Sequence, residues 1–166
     1  NEDIPLSVTI IDMDWHITDI PKEYGSGWTG YTWNKALFPN PKETLKWFHN
    51  NYLKVGLNLH PALGIRPHED AYEKVATKLG VNPKDKKLIP FDITNPDFVK
   101  TYFEDLHYPL EKDGVDFWWM DWQQGKNTDI KGLDPLWLLN HLHYLDRTKN
   151  KLRGFTFSRY AGLGSN

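Results

Sequence analysis

Five short apolar runs in this 166-residue sequence end on side chains able to do chemistry. Asp12, Asp14, Trp15 and His16 stand at the end of the run from Leu6 to Met13. His60 and Pro61 follow Val55 to Leu59, and Asp92 follows Leu88 to Phe91. Asp121, Trp122, Gln123 and Gln124 follow Val115 to Met120. Ser158 and Arg159 follow Phe155 to Phe157. Carboxylates set among aromatic rings suit sugar chemistry. Indole faces stack on flat apolar faces such as sugar rings, and glycoside hydrolysis uses two carboxyl groups flanking the bond. A hard cation held by Asp12, Asp14 and His60 is the competing chemistry. Asp12 and Asp14, two apart on one strand, would share a face while Met13 points away. That spacing permits a metal without being specific for one.

Each of these residues also has a purely structural use. A strand-end aspartate often caps a turn or a helix. Asp92 fits that use, because Thr94, Asn95 and Pro96 follow it; Asp121 does not, because no helix opening follows within a few residues. His60 ahead of Pro61 could be a core histidine, and Arg159 could pair with a structural carboxylate. Trp118 and Trp119 are adjacent on a strand and so point to opposite faces, which leaves at most one of them for a site.

The elements that must position these residues follow a repeating pattern. Asn40-Pro41, Asn95-Pro96 and Asp134-Pro135 each pair an N-cap side chain with proline at the first helical position, where its missing N–H costs nothing. After Pro41, Leu45, Phe48, Tyr52 and Val55 fall on one helical face, with Gly56 as the stop. Ala71, Tyr72, Val75, Ala76 and Leu79 form a second stripe closed by Gly80. Phe98, Val99, Tyr102, Phe103 and Leu106 form a third, which Pro109 should end near Tyr108. Leu138, Leu139, Leu142 and Leu145 form a fourth. Strands alternating with helices predict an α/β fold with a parallel sheet of about five strands in a single domain, residues 1–166. In such folds ligands bind at the carboxyl ends of the strands, where the acidic, aromatic, histidine and arginine residues collect.

Composition narrows the function further. A net charge of −2 leaves no basic footprint for nucleic acid. The absence of cysteine excludes disulfides and thiolate metal sites. No apolar run approaches the ~20 residues of a membrane span. Eight tryptophans in a chain with 14% aromatic residues fit either a dense core or a ring-stacking site. The chain opens on Asn1-Glu2-Asp3 and ends on Gly162-Leu163-Gly164-Ser165-Asn166, from which we expect an excised piece of a longer protein.

Several stretches carry a family resemblance. Ile11 to Trp15, Ala36 to Pro41, Gly56 to Pro61, Gly114 to Trp122 and Phe157-Ser158-Arg159 resemble, in order, the first part of a glycoside hydrolase family 31 catalytic barrel. The Trp119-Met120-Asp121 element is the most specific of these. The resemblance implies an incomplete TIM-barrel unit of a retaining exo-α-glycosidase of α-glucosidase or α-xylosidase type. It implies Asp121 as nucleophile, Asp12 as a binder of sugar hydroxyls, Trp119 as a wall of the first sugar subsite, and Arg159 as holding a sugar hydroxyl or the nucleophile carboxylate; Asp14, His60 and Trp122, at the same strand ends, are expected to bind the sugar with them. It implies no cofactor and no metal, and a saccharide or α-glycoside as the partner, with neither nucleic acid nor membrane. Its acid/base aspartate would lie downstream of Arg159, beyond this chain, so the fragment alone should be inactive. An incomplete barrel should also expose strand edges and self-associate. Trp122-Gln123-Gln124 departs from the Met-Asn-Glu that many members carry, and Ile89-Pro90 departs from their tryptophan before the third-strand aspartate. An α-galactosidase-like barrel and a non-catalytic carbohydrate-binding module are the alternatives.

Overall fold

The computed structural model describes residues 4–122, 124–125, 128–149 and 153–159. Among them four parallel strands run in the order β1 (Val8–Ile11), β2 (Lys54–Leu59), β3 (Phe117–Met120) and β4 (Phe157–Ser158). Helix α1 (Pro41–Asn50) connects β1 to β2. Helix α2 (Tyr72–Lys78), α3 (Pro96–Thr101), a π-helical stretch (Tyr102–His107) and α4 (Tyr108–Asp113) lie between β2 and β3. Helix α5 (Pro135–Thr148) leads to β4. No helix among the described residues is long and apolar enough to cross a membrane.

The register divides the sheet into two unlike faces. Ile10 pairs with Gly56, Gly56 with Phe117, Asn58 with Trp119, and Trp119 with Phe157, so these share one face. The other face holds Val55, Leu57, Leu59, Trp118 and Met120, all buried. Those aliphatic side chains each contribute about 1.5–3 kcal/mol by leaving water. On the first face Gly56 is required by close approach, because a Cβ there would stand 2.5 Å from the Phe117 ring and 2.8 Å from Ile10.

Four local expectations are corrected. The run Leu88 to Phe91 is not a sheet strand, so the described residues give the sheet four strands instead of about five. Ile89 spends both backbone bonds on Ile65 in an isolated antiparallel bridge, and Pro90 has no N–H for a ladder. The first helix stops before Gly56. Tyr52 takes the left-handed position (φ 62°), its N–H bonding His49 O while Leu53 N–H bonds Phe48 O. That pattern is a Schellman termination with tyrosine in the usual glycine place. It leaves Tyr52 exposed and releases Val55 and Gly56 into β2. The third helical run does not end near Tyr108. Its turns widen into the π stretch, where the N–H of Tyr108 reaches Phe103 O, so the chain passes Pro109 and ends at Gly114 (φ 125°). In α5 the buried face is Leu136, Leu139, Asn140, His143 and Asp146; Leu138 and Leu142 are partly covered and Leu145 is exposed.

The capping pattern holds in two of three places. Asn95 and Asp134 each accept two helix N–H groups, whereas Asn40 makes no side-chain cap bond. Asp92 forms the expected turn, accepting from the N–H and hydroxyl of Thr94.

Candidate active site

β3 delivers its next residue to the sheet's carboxyl edge. The Asp121 N–H donates to Leu59 O at 3.1 Å, and the Arg159 N–H donates to Met120 O at 2.9 Å. These ladder bonds run one step past the strands and set Asp121 between His60 and Arg159. Arg159 Nε lies 2.6 Å from Asp121 Oδ1, and His60 Nε2 lies 3.2 Å from Oδ2. Asn58, on β2 one residue before Leu59, donates to Oδ2 from Nδ2 at 3.1 Å. Asp121 is 3% exposed. An unpaired carboxylate would be costly there; Arg159 supplies an ion pair and the Asn58 amide a hydrogen bond.

Burial pushes the His60 pKa below its ordinary 6.5, helped by the neighbouring His16 and opposed by the charges of Asp121 and Asp12. His60 is therefore a neutral imidazole near pH 7. Aromatic rings flank the group. The Arg159 guanidinium carbon sits 4.8 Å from the Trp122 ring centroid and 5.9 Å from that of Trp119. Trp119 stacks on Phe157 at 5.7 Å. Trp118 points the other way, donating to Glu111 and packing on His107, so the two tryptophans divide between the faces as expected.

The structure thus brings together Asp121, His60, Arg159, Trp119 and Trp122. Asp12 lies near enough for its charge to act on His60. Asp12 and Asp14 do not continue the strand on one face. β1 stops at Ile11, and Met13–Trp15 form a tight 3-10 turn that Asp12 caps by accepting from Met13 N–H at 2.7 Å. Asp14 is exposed and accepts from the Thr18 hydroxyl. Asp12, Asp14 and His60 form no metal-binding cluster, and no three such groups do so among the described residues. Gln123 lies outside the described residues.

The model of the glycosyl hydrolases family 31 TIM-barrel domain matches residues 1–166. The chain belongs to glycoside hydrolase family 31. Solved structures of the family share its fold. An α-xylosidase from Xanthomonas citri superposes with a TM-score of 0.64 at 17% identity, over 96% of this chain and 20% of that one. A sulfoquinovosidase from E. rectale, solved with an aza-sugar inhibitor, gives 0.61 at 17% identity, over 94% and 27%. An α-glucosidase from Bacteroides thetaiotaomicron gives 0.57 at 24% identity, over 98% and 29%. The family 31 chain therefore spans less than a third of each of these proteins. No curated protein matches it.

Two residues at this family 31 site escaped the sequence reading. Asn58 carried a usable signal: it is the one polar side chain in the Val55 to Leu59 run, and it is fully buried. Trp28 carried none, since it lies in an irregular loop between β1 and α1. The fold sets its ring edge-on to His60 at 5.4 Å and to Trp122 at 6.4 Å.

Proposed function

We propose that this chain is the nucleophile-bearing part of the catalytic barrel of a retaining, exo-acting α-glycosidase of α-glucosidase or α-xylosidase type. The observation that carries the reading is the buried Asp121 carboxylate, at a strand's carboxyl end, paired with Arg159 and bonded by Asn58. Arg159 sets its charge 2.6 Å from the carboxylate, and Asn58 fixes the carboxylate's direction by donating to Oδ2. Asp121 attacks the anomeric carbon as the glycosidic C–O bond breaks, giving a covalent glycosyl ester. The leaving oxygen takes a proton from a second carboxyl group, which lies outside these residues. That group, now a base, then takes a proton from water as the water oxygen attacks the anomeric carbon and Asp121 leaves. Asp12, Trp119, Trp122 and Arg159 orient the ring, and no cofactor enters. The isolated chain, lacking general-acid assistance worth ~10²–10⁴-fold, turns over little substrate.

The test uses the complete parent protein with aryl α-glucosides and α-xylosides. Proton NMR of the first-formed sugar should show the α-anomer before mutarotation. A β-anomer would mean inversion and would remove the nucleophile role.

A further inference from the structure

We propose that the side-chain amide of Gln124 is a positioning residue that locks the Asp121 segment to the His60 turn. This rests on the reading of Asp121 as nucleophile. Gln124 is 2% exposed, and both ends of its amide are used. Nε2 donates to the backbone oxygen of Asp121 at 2.8 Å and also to that of Trp122. Oε1 accepts from the Ala62 N–H at 3.0 Å. One planar group therefore joins the segment after β3 to the turn after β2. On the far side of that turn, the Thr29 hydroxyl donates to His60 O and accepts from Leu63 N–H at 3.2 Å. The turn carrying His60 is thus clamped by side chains from two other segments.

In this chain, where Gln124 stands in place of the glutamate that many members carry, both ends of the clamp are matched to an amide. Two backbone carbonyls face Nε2 and one N–H faces Oε1, so the site needs donors at one end and an acceptor at the other. A glutamate of the same shape can still accept from Ala62, but it sets a carboxylate oxygen against two carbonyl oxygens. A methionine fills the space and offers neither function. Releasing the clamp frees the His60 turn to move against Asp121. Displacements of about 1 Å at a reacting group cost on the order of 10²-fold in rate.

The experiment compares wild type, Gln124→Glu and Gln124→Met in the complete parent protein. It reads the rate of covalent labelling by a 5-fluoroglycosyl fluoride, the pH profile of kcat/KM, and Tm. Wild type must label at Asp121; if it does not, the nucleophile reading itself fails and the clamp with it. If wild type labels, both variants should label the same residue about tenfold to a hundredfold more slowly. Gln124→Met adds no titrating group, so its kcat/KM should stay low across the pH range. Gln124→Glu should recover part of its rate as pH falls and the new carboxyl regains a proton to donate. Wild-type labelling rates in Gln124→Glu, with no recovery of its kcat/KM as pH falls, would overturn the proposal. So would a fall in Tm without any change in these two readouts. Should Gln124→Met fail to fold, Gln124→Glu decides, since it keeps the shape and the Ala62 bond.

Discussion

Asp116 and Asp121 flank the two ends of β3, and each gathers a histidine, a cation and a group from β2. Asp116 meets His49 Nε2 at 2.7 Å, Lys54 Nζ at 2.8 Å and the Val55 N–H at 2.8 Å. Asp121 meets His60 at 3.2 Å, Arg159 at 2.6 Å and the Asn58 amide at 3.1 Å. The partners match in kind, but the settings do not. At the amino end, Lys54 and His49 reach in from the surface and a backbone N–H completes the shell, so the group staples α1 and β2 to β3. Burial alone would raise the Asp116 pKa, but Lys54, the Val55 N–H and His49 outweigh it and hold it below the ordinary 3.8. At the carboxyl end the carboxylate sits deeper, its cation lies over indole rings, and the histidine is neutral. A carboxylate with a histidine and a cation is therefore no site by itself. The strand end it occupies and the rings around it are what favour Asp121 as the proposed nucleophile.

Substitutions at the two ends should separate accordingly. Asp121→Asn in the complete parent protein should lower kcat by roughly 10⁴-fold or more, as loss of an attacking group does, whereas Asp116→Asn should leave kcat within a few-fold. Steady-state kinetics on one aryl α-glycoside checks both, and comparable losses would break the contrast. Arg159→Lys keeps the charge but loses the planar fork and its stacking on Trp122 and Trp119. It should cost about 10²-fold in kcat/KM, while Lys54→Arg at the other end should cost nearly nothing. Asp116→Ala should destabilise the fold by about 1.5–3 kcal/mol, because it removes charged hydrogen bonds; urea denaturation measures it.

Stability against pH gives the smallest and sharpest contrast. The unfolded chain protonates His60 at its ordinary 6.5, whereas the folded site resists, so its penalty is absent above that pH and grows as pH falls below it. His60→Gln should remove that part of the loss. The buried His107, lowered to about 4 by burial, and His143 act in the same window, so the difference between wild type and variant is the quantity to read. Asp116 acts lower: its contribution is full above 3.8 and is lost as pH falls through its depressed folded value. Asp116→Asn should flatten only that acid limb. A variant pair that changed the same pH window would contradict the distinction.

How much of this was legible beforehand follows from the range of the forces involved. The parallel sheet, the proline-led helices and the gathering of Asp121, His60 and Arg159 at one edge follow from local periodicity and from strand ends. The Tyr52 termination was hidden because tyrosine rarely takes a left-handed turn, so a helical face appeared to run on through Val55. Pro109 signalled a helix end because the π widening that admits it has no simple sequence mark. Asp12 and Asp14 were placed on one strand face because the cap that ends β1 at Ile11 is made by Asp12 itself. Trp28 and the Gln124 clamp depend on loops from different strands meeting, which no local pattern encodes.

Covalent trapping tests the central claim most directly. The parent protein would be inactivated with a 5-fluoroglucosyl or 5-fluoroxylosyl fluoride, digested, and sequenced by mass spectrometry. The tryptic peptide from Asp113 to Lys126 contains both Asp116 and Asp121, so fragment ions must place the label within it. The account predicts the sugar on Asp121. Label on Asp116, label outside this peptide, or turnover of an α-glycoside without any covalent adduct would contradict it.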